Sequence, residues 1–180
     1  MKQLILASLI ALTLAGCTGL PEDVTPVSGF EADRYLGRWY EIARLDHSFE
    51  RGLSNISAQY TLRKDGGIDV LNCGYSSENN EWKEAQGKAY FIGSPGIGHL
   101  KVSFFGPFYG SYVVFDLDKK DYQYAYVSGP NKDYLWFLSR TPKVSEQSYQ
   151  RFLDKAESLG FDSKALIRVN QTGSECPAVQ

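Results

Sequence analysis

The segment Gly37-Arg38-Trp39-Tyr40-Glu41-Ile42-Ala43-Arg44 has the clearest structural signal in the chain. Its side chains alternate, with Tyr40 and Ile42 on one face and Trp39 on the other, which predicts a β-strand with one face turned to a core. The glycine at its start, Gly37, lets the backbone enter at an angle or pass close to another chain. The indole of Trp39 then has to be buried, and its N–H needs a hydrogen-bond acceptor.

The predicted partner of Trp39 is Arg140, in the run Trp136-Phe137-Leu138-Ser139-Arg140-Thr141-Pro142. Alternation along this run places Arg140 on the same strand face as Leu138 and Trp136. A cation on the face of a tryptophan contributes about 0.5–2 kcal/mol. We therefore expect Arg140 to turn inward and close over Trp39.

Three motifs resemble the signature regions of the lipocalins: Gly37-x-Trp39 on a first strand, Asp121-Tyr122 in a late turn, and Arg140 at the end of a last strand. Longer runs resemble the bacterial outer-membrane lipocalins in particular, and the resemblance extends from Phe30 to Val169. It implies a structural role for the glycine, the tryptophan and the arginine. It also implies a fatty acid or a lysophospholipid as the ligand, and a possible homodimer.

The chain begins with Met1-Lys2, an apolar stretch and Leu14-Ala15-Gly16-Cys17. A short positive start, about 7–15 apolar residues and small residues before a cut site are typical of a secretory signal, since a membrane-spanning helix needs about 20 residues. Leu-Ala-Gly-Cys resembles the bacterial lipobox, which implies that residues 1–16 are a lipoprotein signal peptide and that Cys17 is acylated. The alternative is an ordinary signal with an incidental cysteine. In such lipoproteins an Asp directly after the cysteine resembles a signal for retention in the inner membrane. This chain has Thr18 at that position, and the absence of Asp implies a protein that is lipid-anchored in the outer membrane.

Removal of residues 1–16 takes away Lys2, so 18 basic residues remain against 21 acidic ones, a net charge of −3. This mild acidity and the lack of a long basic run argue against a nucleic-acid partner. Two prolines and several small or acidic residues in residues 17–29 predict a tether, and the resemblance to the lipobox implies that this tether is lipidated. Residues 30–172 are long enough for one domain with a sizeable core, and residues 173–180 form a C-terminal tail.

The chain has three cysteines. If Cys17 carries lipid, Cys73 and Cys176 remain as a pair in an oxidising compartment, where a disulfide is expected. The alternative is two free thiols. A disulfide would tie the tail to an outer strand face, and closing a loop of about 100 residues could stabilise the fold by up to about 4–5 kcal/mol.

Turn signals rich in Gly, Pro, Asn and Asp divide the domain into short β-branched or aromatic runs. They predict eight strands, near residues 37–45, 54–64, 67–76, 81–92, 99–105, 111–118, 122–129 and 134–141. Short connections favour an antiparallel meander, and closure into a barrel removes the two open edges of such a sheet. The predicted fold class is therefore all-β, an eight-stranded antiparallel up-and-down barrel. One helix over residues 145–159 is expected outside the barrel, followed by a short strand, Leu166–Val169, beside the first.

Alternation along each strand indicates which side chains face the barrel interior. Small inward residues leave volume that a purely structural barrel would fill, and eight strands leave room for one small ligand. The predicted ligand-binding residues are Ala58, Tyr60, Val70, Asn72, Ala85, Val102, Phe104, Val127, Trp136 and Leu138. Leu62 is expected on the same wall as Tyr60. Inside this apolar space Tyr60 and Asn72 would bond water, a head group or each other.

Two loops are candidates for the mouth of such a barrel. In the loop after the first strand, Phe49 and Leu53 could form an apolar lip, and Arg51 and His47 could reach an acidic head group; the alternative is an ordinary solvated loop. The aromatics of Gly106-Pro107-Phe108-Tyr109-Gly110 either fold under the barrel or form a patch exposed to a membrane or a second subunit.

Motifs for catalysis, metals and cofactors are absent from the sequence, which has no Gly-x-Ser-x-Gly elbow and no His-Glu-x-x-His. We therefore predict a protein that is not an enzyme and has no cofactor and no metal site. The predicted function is binding of fatty acids or lysophospholipids in the cavity, for lipid storage, transport or envelope maintenance. The alternatives are a structural envelope lipoprotein with a filled barrel and, less favoured, an enzyme acting on lipid.

Overall fold

The computed structural model describes residues 18–179, so the predicted signal peptide and the lipidation site Cys17 lie outside the described residues. The strands within this range are β1 (Gly37–Arg44), β2 (Leu53–Leu62), β3 (Ile68–Ser76), β4 (Glu81–Phe91), β5 (His99–Phe105), β6 (Phe108–Leu117), β7 (Tyr124–Ser128), β8 (Leu135–Ser139) and β9 (Ile167–Arg168). The α-helices are α1 (Ala32–Tyr35) and α2 (Glu146–Ser158), and short 3₁₀ turns occupy Ser163–Ala165 and Pro177–Val179.

Strands β1 to β8 form a closed antiparallel barrel. Each strand pairs with the next one in sequence, and β8 returns to pair with β1, where Tyr40 lies opposite Ser139. Strand β9 pairs with Ala43 and Arg44 of β1, beyond the point where β2 leaves that strand. This arrangement confirms the predicted fold class, an eight-stranded up-and-down barrel with a short final strand beside the first.

Helix α2 packs against the outside of the barrel, as predicted. Ser145 caps it, because the Ser145 hydroxyl accepts a hydrogen bond from the Ser148 N–H at 3.1 Å. The buried ring of Phe152 lies 5.0 Å from that of Phe137 and 4.9 Å from that of Tyr126. These partners are outward-facing side chains of β7 and β8, so the inward faces of both strands remain for the barrel interior. No helix within residues 18–179 is long and apolar enough to cross a bilayer.

One end of the barrel is closed by α1 and Trp39. The indole of Trp39 is fully buried, and its Nε1 donates a hydrogen bond to the Tyr35 carbonyl at 2.8 Å. The guanidinium of Arg140 lies 3.9 Å from the centroid of the Trp39 ring. It also donates hydrogen bonds to the backbone carbonyls of Arg34, Arg38 and Tyr122. Arg140 therefore holds α1, β1 and the turn before β7 together.

Gly37 allows this closure. Its φ of +91° lies in the left-handed region, where a side chain is strained. A Cβ atom there would also lie 3.4 Å from Nη1 of Arg140. A residue other than glycine would thus be strained in its backbone, whereas its Cβ would only contact the closing arginine.

The C-terminal tail is fastened to the outside of the barrel. Cys73 of β3 and Cys176 form a disulfide, which confirms that prediction, and both residues are buried. The side-chain amide of Gln171 adds hydrogen bonds to the carbonyls of Glu41 and Ile56, at 2.9 and 2.8 Å. Gln171, just before the tail, thus links β1 to β2.

The ends of β2 and β6 differ from the expectations drawn from the sequence. Leu62 is 52% exposed, because the pairing of β1 with β2 ends at Gly37 opposite Tyr60 and Leu62 extends past the end of the barrel. Strand β6 begins at Phe108 instead of residue 111, so only Gly106 and Pro107 connect it to β5. The aromatic segment is therefore the tip of a hairpin.

Candidate functional site

The barrel encloses a cavity of about 400 Å³. The residues predicted to bind a ligand that line it are Ala58, Tyr60, Val70, Asn72, Val102, Phe104, Val127, Trp136 and Leu138. Ile68, Ala89 and Leu100 add to the apolar wall. The volume falls within the range of about 300–1,000 Å³ that is typical of small-molecule sites, which are also mostly apolar.

Ala85 is the exception, because it is exposed and does not line the cavity. It pairs with Asn72 of β3, but β4 meets β5 only from Lys88 onward. Within residues 18–179, the first half of β4 thus pairs with β3 on one side and with no strand on the other side. Ala85 therefore lies beyond the enclosed part of the barrel, and its prediction as a cavity residue is corrected.

The cavity opens at the end opposite to Trp39. Since Gly37 and Tyr60 pair near the closed end, the β1–β2 connection and the β3–β4, β5–β6 and β7–β8 turns all lie at the other end. Phe49 of the β1–β2 connection and Asn131 of the β7–β8 turn line the cavity. These connections form the mouth.

Three tyrosines form a hydrogen-bonded cluster in the cavity wall. The hydroxyl of Tyr112 lies 2.7 Å from that of Tyr35 and 2.9 Å from that of Tyr60. Burial raises the pKa of the Tyr60 and Tyr112 hydroxyls, so both stay protonated at neutral pH. Tyr60 therefore has protein partners, whereas the side chain of Asn72 makes no hydrogen bond within residues 18–179. Of these two polar groups, Asn72 is the one that remains for a ligand.

A buried charged cluster, which the sequence patterns do not predict, lies beside the cavity. Nη1 of Arg44 donates to Oε1 of Glu41 at 3.1 Å, and Nη2 donates to the Glu50 carbonyl at 2.8 Å. Oε2 of Glu50 accepts a hydrogen bond from Nε1 of Trp136 at 3.1 Å. All three charged residues are buried, and both glutamates line the cavity. One signal was available, because Glu41 lies two residues from Trp39 on the same strand face.

The two glutamates hold protons more readily than exposed acids do. Burial raises the pKa of Glu41 and the nearby Glu50 carboxyl raises it further, while Arg44 opposes the shift. Burial also raises the pKa of Glu50, against the hydrogen bond from Trp136 and the charge of Arg44. With a single guanidinium between them, the two carboxyls cannot both be compensated in a medium of low polarity.

The prediction for His47 is wrong, whereas Phe49 lies where an apolar lip requires it. The His47 ring is buried and stacks on Phe49 and Tyr134, with centroids 5.3 and 4.7 Å apart. Burial lowers the pKa of His47, so its imidazole is neutral at pH 7 and offers no charge to a head group. Arg51 is exposed but forms an ion pair with Asp46 on its own loop.

The cavity has no positive side chain of its own. Among residues 18–179, those lining it include hydroxyl, amide and carboxyl groups, but no Lys, Arg or His. An anionic group inside would lack a counter-charge and lose its hydration, which is costly in an apolar space. The cavity therefore suits an apolar chain whose polar head remains at the mouth.

Comparison with known proteins agrees with this geometry. A family model described as a lipocalin-like domain matches residues 30–171. Outer membrane lipoprotein Blc of Vibrio cholerae is 61% identical over 163 residues, covering 91% of this chain and 95% of that protein. The protein of the same name from Escherichia coli K12 is 50% identical over 173 residues, covering 95% and 97%. The structure of insecticyanin from the tobacco hornworm has the same fold, with a TM-score of 0.67 at 21% identity and 89% of each chain covered. The matched domain, the identities and the closed barrel together show that this chain belongs to the lipocalin family.

Proposed function

We propose that this protein is a lipid-anchored lipocalin of the outer membrane that holds one long acyl chain in its barrel. The chain would belong to a fatty acid or a lysophospholipid, and the role would be lipid storage, transport or envelope maintenance. The observation that carries the proposal is the apolar cavity, open at one end only, inside a lipocalin barrel. Lipocalins bind small hydrophobic ligands, and the name of the relatives supports the outer-membrane location.

The apolar wall supplies the affinity in this proposal. Each methylene moved from water into such a cavity contributes about 0.8 kcal/mol, so ten methylenes contribute about 8 kcal/mol. Association costs about 4–15 kcal/mol in lost freedom, so short chains would bind weakly and long ones well. Asn72 in the wall and Asn131 at the mouth could bond the polar head.

The alternatives receive less support. A structural protein with a filled barrel would need bulky neighbours over Ala58, yet this residue borders open space. An enzyme acting on lipid would need a free acid pair or an activated nucleophile. Glu41 and Glu50 are instead engaged by Arg44 and Trp136. Binding is therefore the function that we propose.

The test is to identify the lipid that copurifies with the protein. A chain beginning at Thr18 contains the whole barrel, α2 and the disulfide. It would be exported, purified without detergent and denatured, and the released molecules identified by mass spectrometry. We expect roughly one acyl lipid per chain, since eight-stranded barrels hold one small ligand.

Two substitutions on neighbouring positions of β2 make the test specific. A58F fills the cavity, because Ala58 lines it, whereas Q59F points to the outside of the same strand. A58F should lose most of the bound lipid and Q59F should keep it. Equal lipid in the two variants, or none in the parent even after incubation with fatty acids and lysophospholipids, would refute the proposal.

A further inference from the structure

The β5–β6 hairpin ends in an exposed apolar tip. Phe105 and Phe108, on either side of the two-residue turn, are 83% and 66% exposed. The 14 residues between Lys101 and Asp116 include no charged side chain. Single apolar residues on a surface are common, but two large aromatics at the tip of a hairpin whose outer part has no charged side chain mark an interaction site.

This tip belongs to the mouth of the cavity. The β5–β6 turn lies at the same end of the barrel as the β1–β2 connection. Phe104 and Gly110, next to the tip in the two strands, line the cavity. Phe49 of the β1–β2 connection also lines it, and this ring is 61% exposed. Apolar surface therefore continues from the outside of the mouth into the cavity.

The described chain begins beside the same hairpin. The His99 imidazole, at the start of β5, is hydrogen-bonded to the backbone of Thr18 and lies 2.9 Å from the Ser111 hydroxyl of β6. Ser111 is three residues from Phe108, which is about 10 Å along an extended strand, but His99 is six residues from Phe105, which is about 20 Å from the tip toward the closed end. Thr18 directly follows Cys17. A lipid anchor at Cys17 would thus join the protein along the same hairpin, about 10–20 Å from the tip.

We propose that Phe105 and Phe108 insert into the membrane surface and hold the mouth of the cavity against the lipid. This inference rests on the proposed function, which places the anchor at Cys17. A bilayer fits better than a second protein, because the tip has no charged residue of its own, projects as a two-residue turn, and adjoins the cavity entrance. The nearest cation along the chain, the Lys101 ammonium, lies 5.0 Å from the centroid of the Tyr109 ring, where it can face anionic lipid head groups. An acyl chain could then move between bilayer and cavity past Phe49 without crossing water.

The experiment measures which end of the barrel touches lipid. The full lipidated chain is reconstituted in phosphatidylcholine vesicles whose acyl chains carry bromine atoms, which quench a tryptophan that contacts them. F105W reports on the tip, and L62W is the matched control, because Leu62 is also an exposed apolar residue but lies at the opposite end. The unsubstituted chain gives the background of the native tryptophans.

We expect the added F105W signal to fall by about half or more, since interfacial side chains lie about 5–10 Å deep, and the L62W signal to stay unchanged. If neither signal falls in vesicle-bound protein, the mouth faces away from the bilayer and the proposal is overturned. Equal quenching of both would also overturn it, because the barrel would have no preferred orientation. Cross-linked dimers that protect F105W from quenching would show that a second copy covers the tip instead.

A second measurement follows lipid transfer. The double variant F105S/F108S should take up a fluorescent lysophospholipid from vesicles several-fold more slowly than the parent, whereas L62S should not. Equal rates would count against docking at the tip. The copurified lipid distinguishes the two proposals. If the parent chain carries lipid but F105W is not quenched, the proposed lipid binding stands and the proposed membrane contact at the tip is wrong.

Discussion

Replacement of Arg140 by alanine should open the closed end of the barrel. Its guanidinium donates hydrogen bonds to three backbone carbonyls, at 2.7, 2.8 and 3.2 Å, and lies 3.9 Å from the Trp39 ring. A hydrogen bond from a charged donor contributes about 1.5–3 kcal/mol, and a cation–π contact about 0.5–2 kcal/mol. Arg140 is only partly buried, so water can satisfy some of the freed carbonyls. We therefore expect R140A to lower the free energy of unfolding by about 3–5 kcal/mol.

Two further variants show whether geometry or charge causes this loss. R140K keeps the charge but lacks the planar fork, so it should recover only about half of the loss, about 2 kcal/mol. R51A removes an exposed arginine that pairs with Asp46 and should cost less than about 1 kcal/mol. The assay is urea unfolding with the disulfide intact, and R140A should also lower Tm by about 8–15 °C. A loss for R140A no larger than that for R51A would show that Arg140 does not hold the closed end together.

Two other predictions concern the buried acids and the disulfide. Because the folded state raises the pKa of Glu41, the folded protein binds more protons than the unfolded chain from about pH 4 up to the raised value, and stability falls as pH rises through this window. E41Q should be as stable as the parent near pH 4 and more stable than the parent at pH 8. The gain is about 1.4 kcal/mol for each tenfold difference in the proton affinity of Glu41 between the folded and unfolded chains. Parallel profiles of stability against pH for the two proteins would contradict this. Loss of the Cys73–Cys176 disulfide, which links residues 103 apart, should cost about 2–5 kcal/mol in a double serine variant. Reductant should lower the free energy of unfolding of the parent and leave that of the double serine variant unchanged. A parent whose stability does not change with reductant would contradict the prediction.

The architecture could be predicted because it depends on short-range patterns. A period of two along each strand correctly placed Trp136 and Leu138 inside and Cys73 outside. The capping serine and the apolar stripe likewise indicated a helix on the outer face. These signals depend on neighbours within a few residues, and closure follows because an antiparallel meander would otherwise keep two open edges.

The errors arose where a side chain's surroundings depend on a distant strand. Ala85 and Leu62 have the correct alternation, but they lie beyond the points where β5 and β1 end their pairing with β4 and β2. His47 does lie in the β1–β2 connection, but Tyr134 and Trp136 from the β7–β8 region cover its ring and keep it from a head group. Alternation determines the direction of a side chain and cannot give the length over which two strands pair.

The strand order, the inward faces and the chemistry of the closing pair follow from the amino-acid sequence, because each depends on local periodicity or on a short motif. The buried cluster of Glu41, Arg44 and Glu50 beside the cavity becomes visible only in the folded barrel. The same is true of the tyrosine hydroxyls that satisfy one another and of the exposed phenylalanines at the mouth. The physical reason is that burial, ion pairing and pKa shifts depend on the distance between segments far apart in the chain, which is set only when the barrel closes.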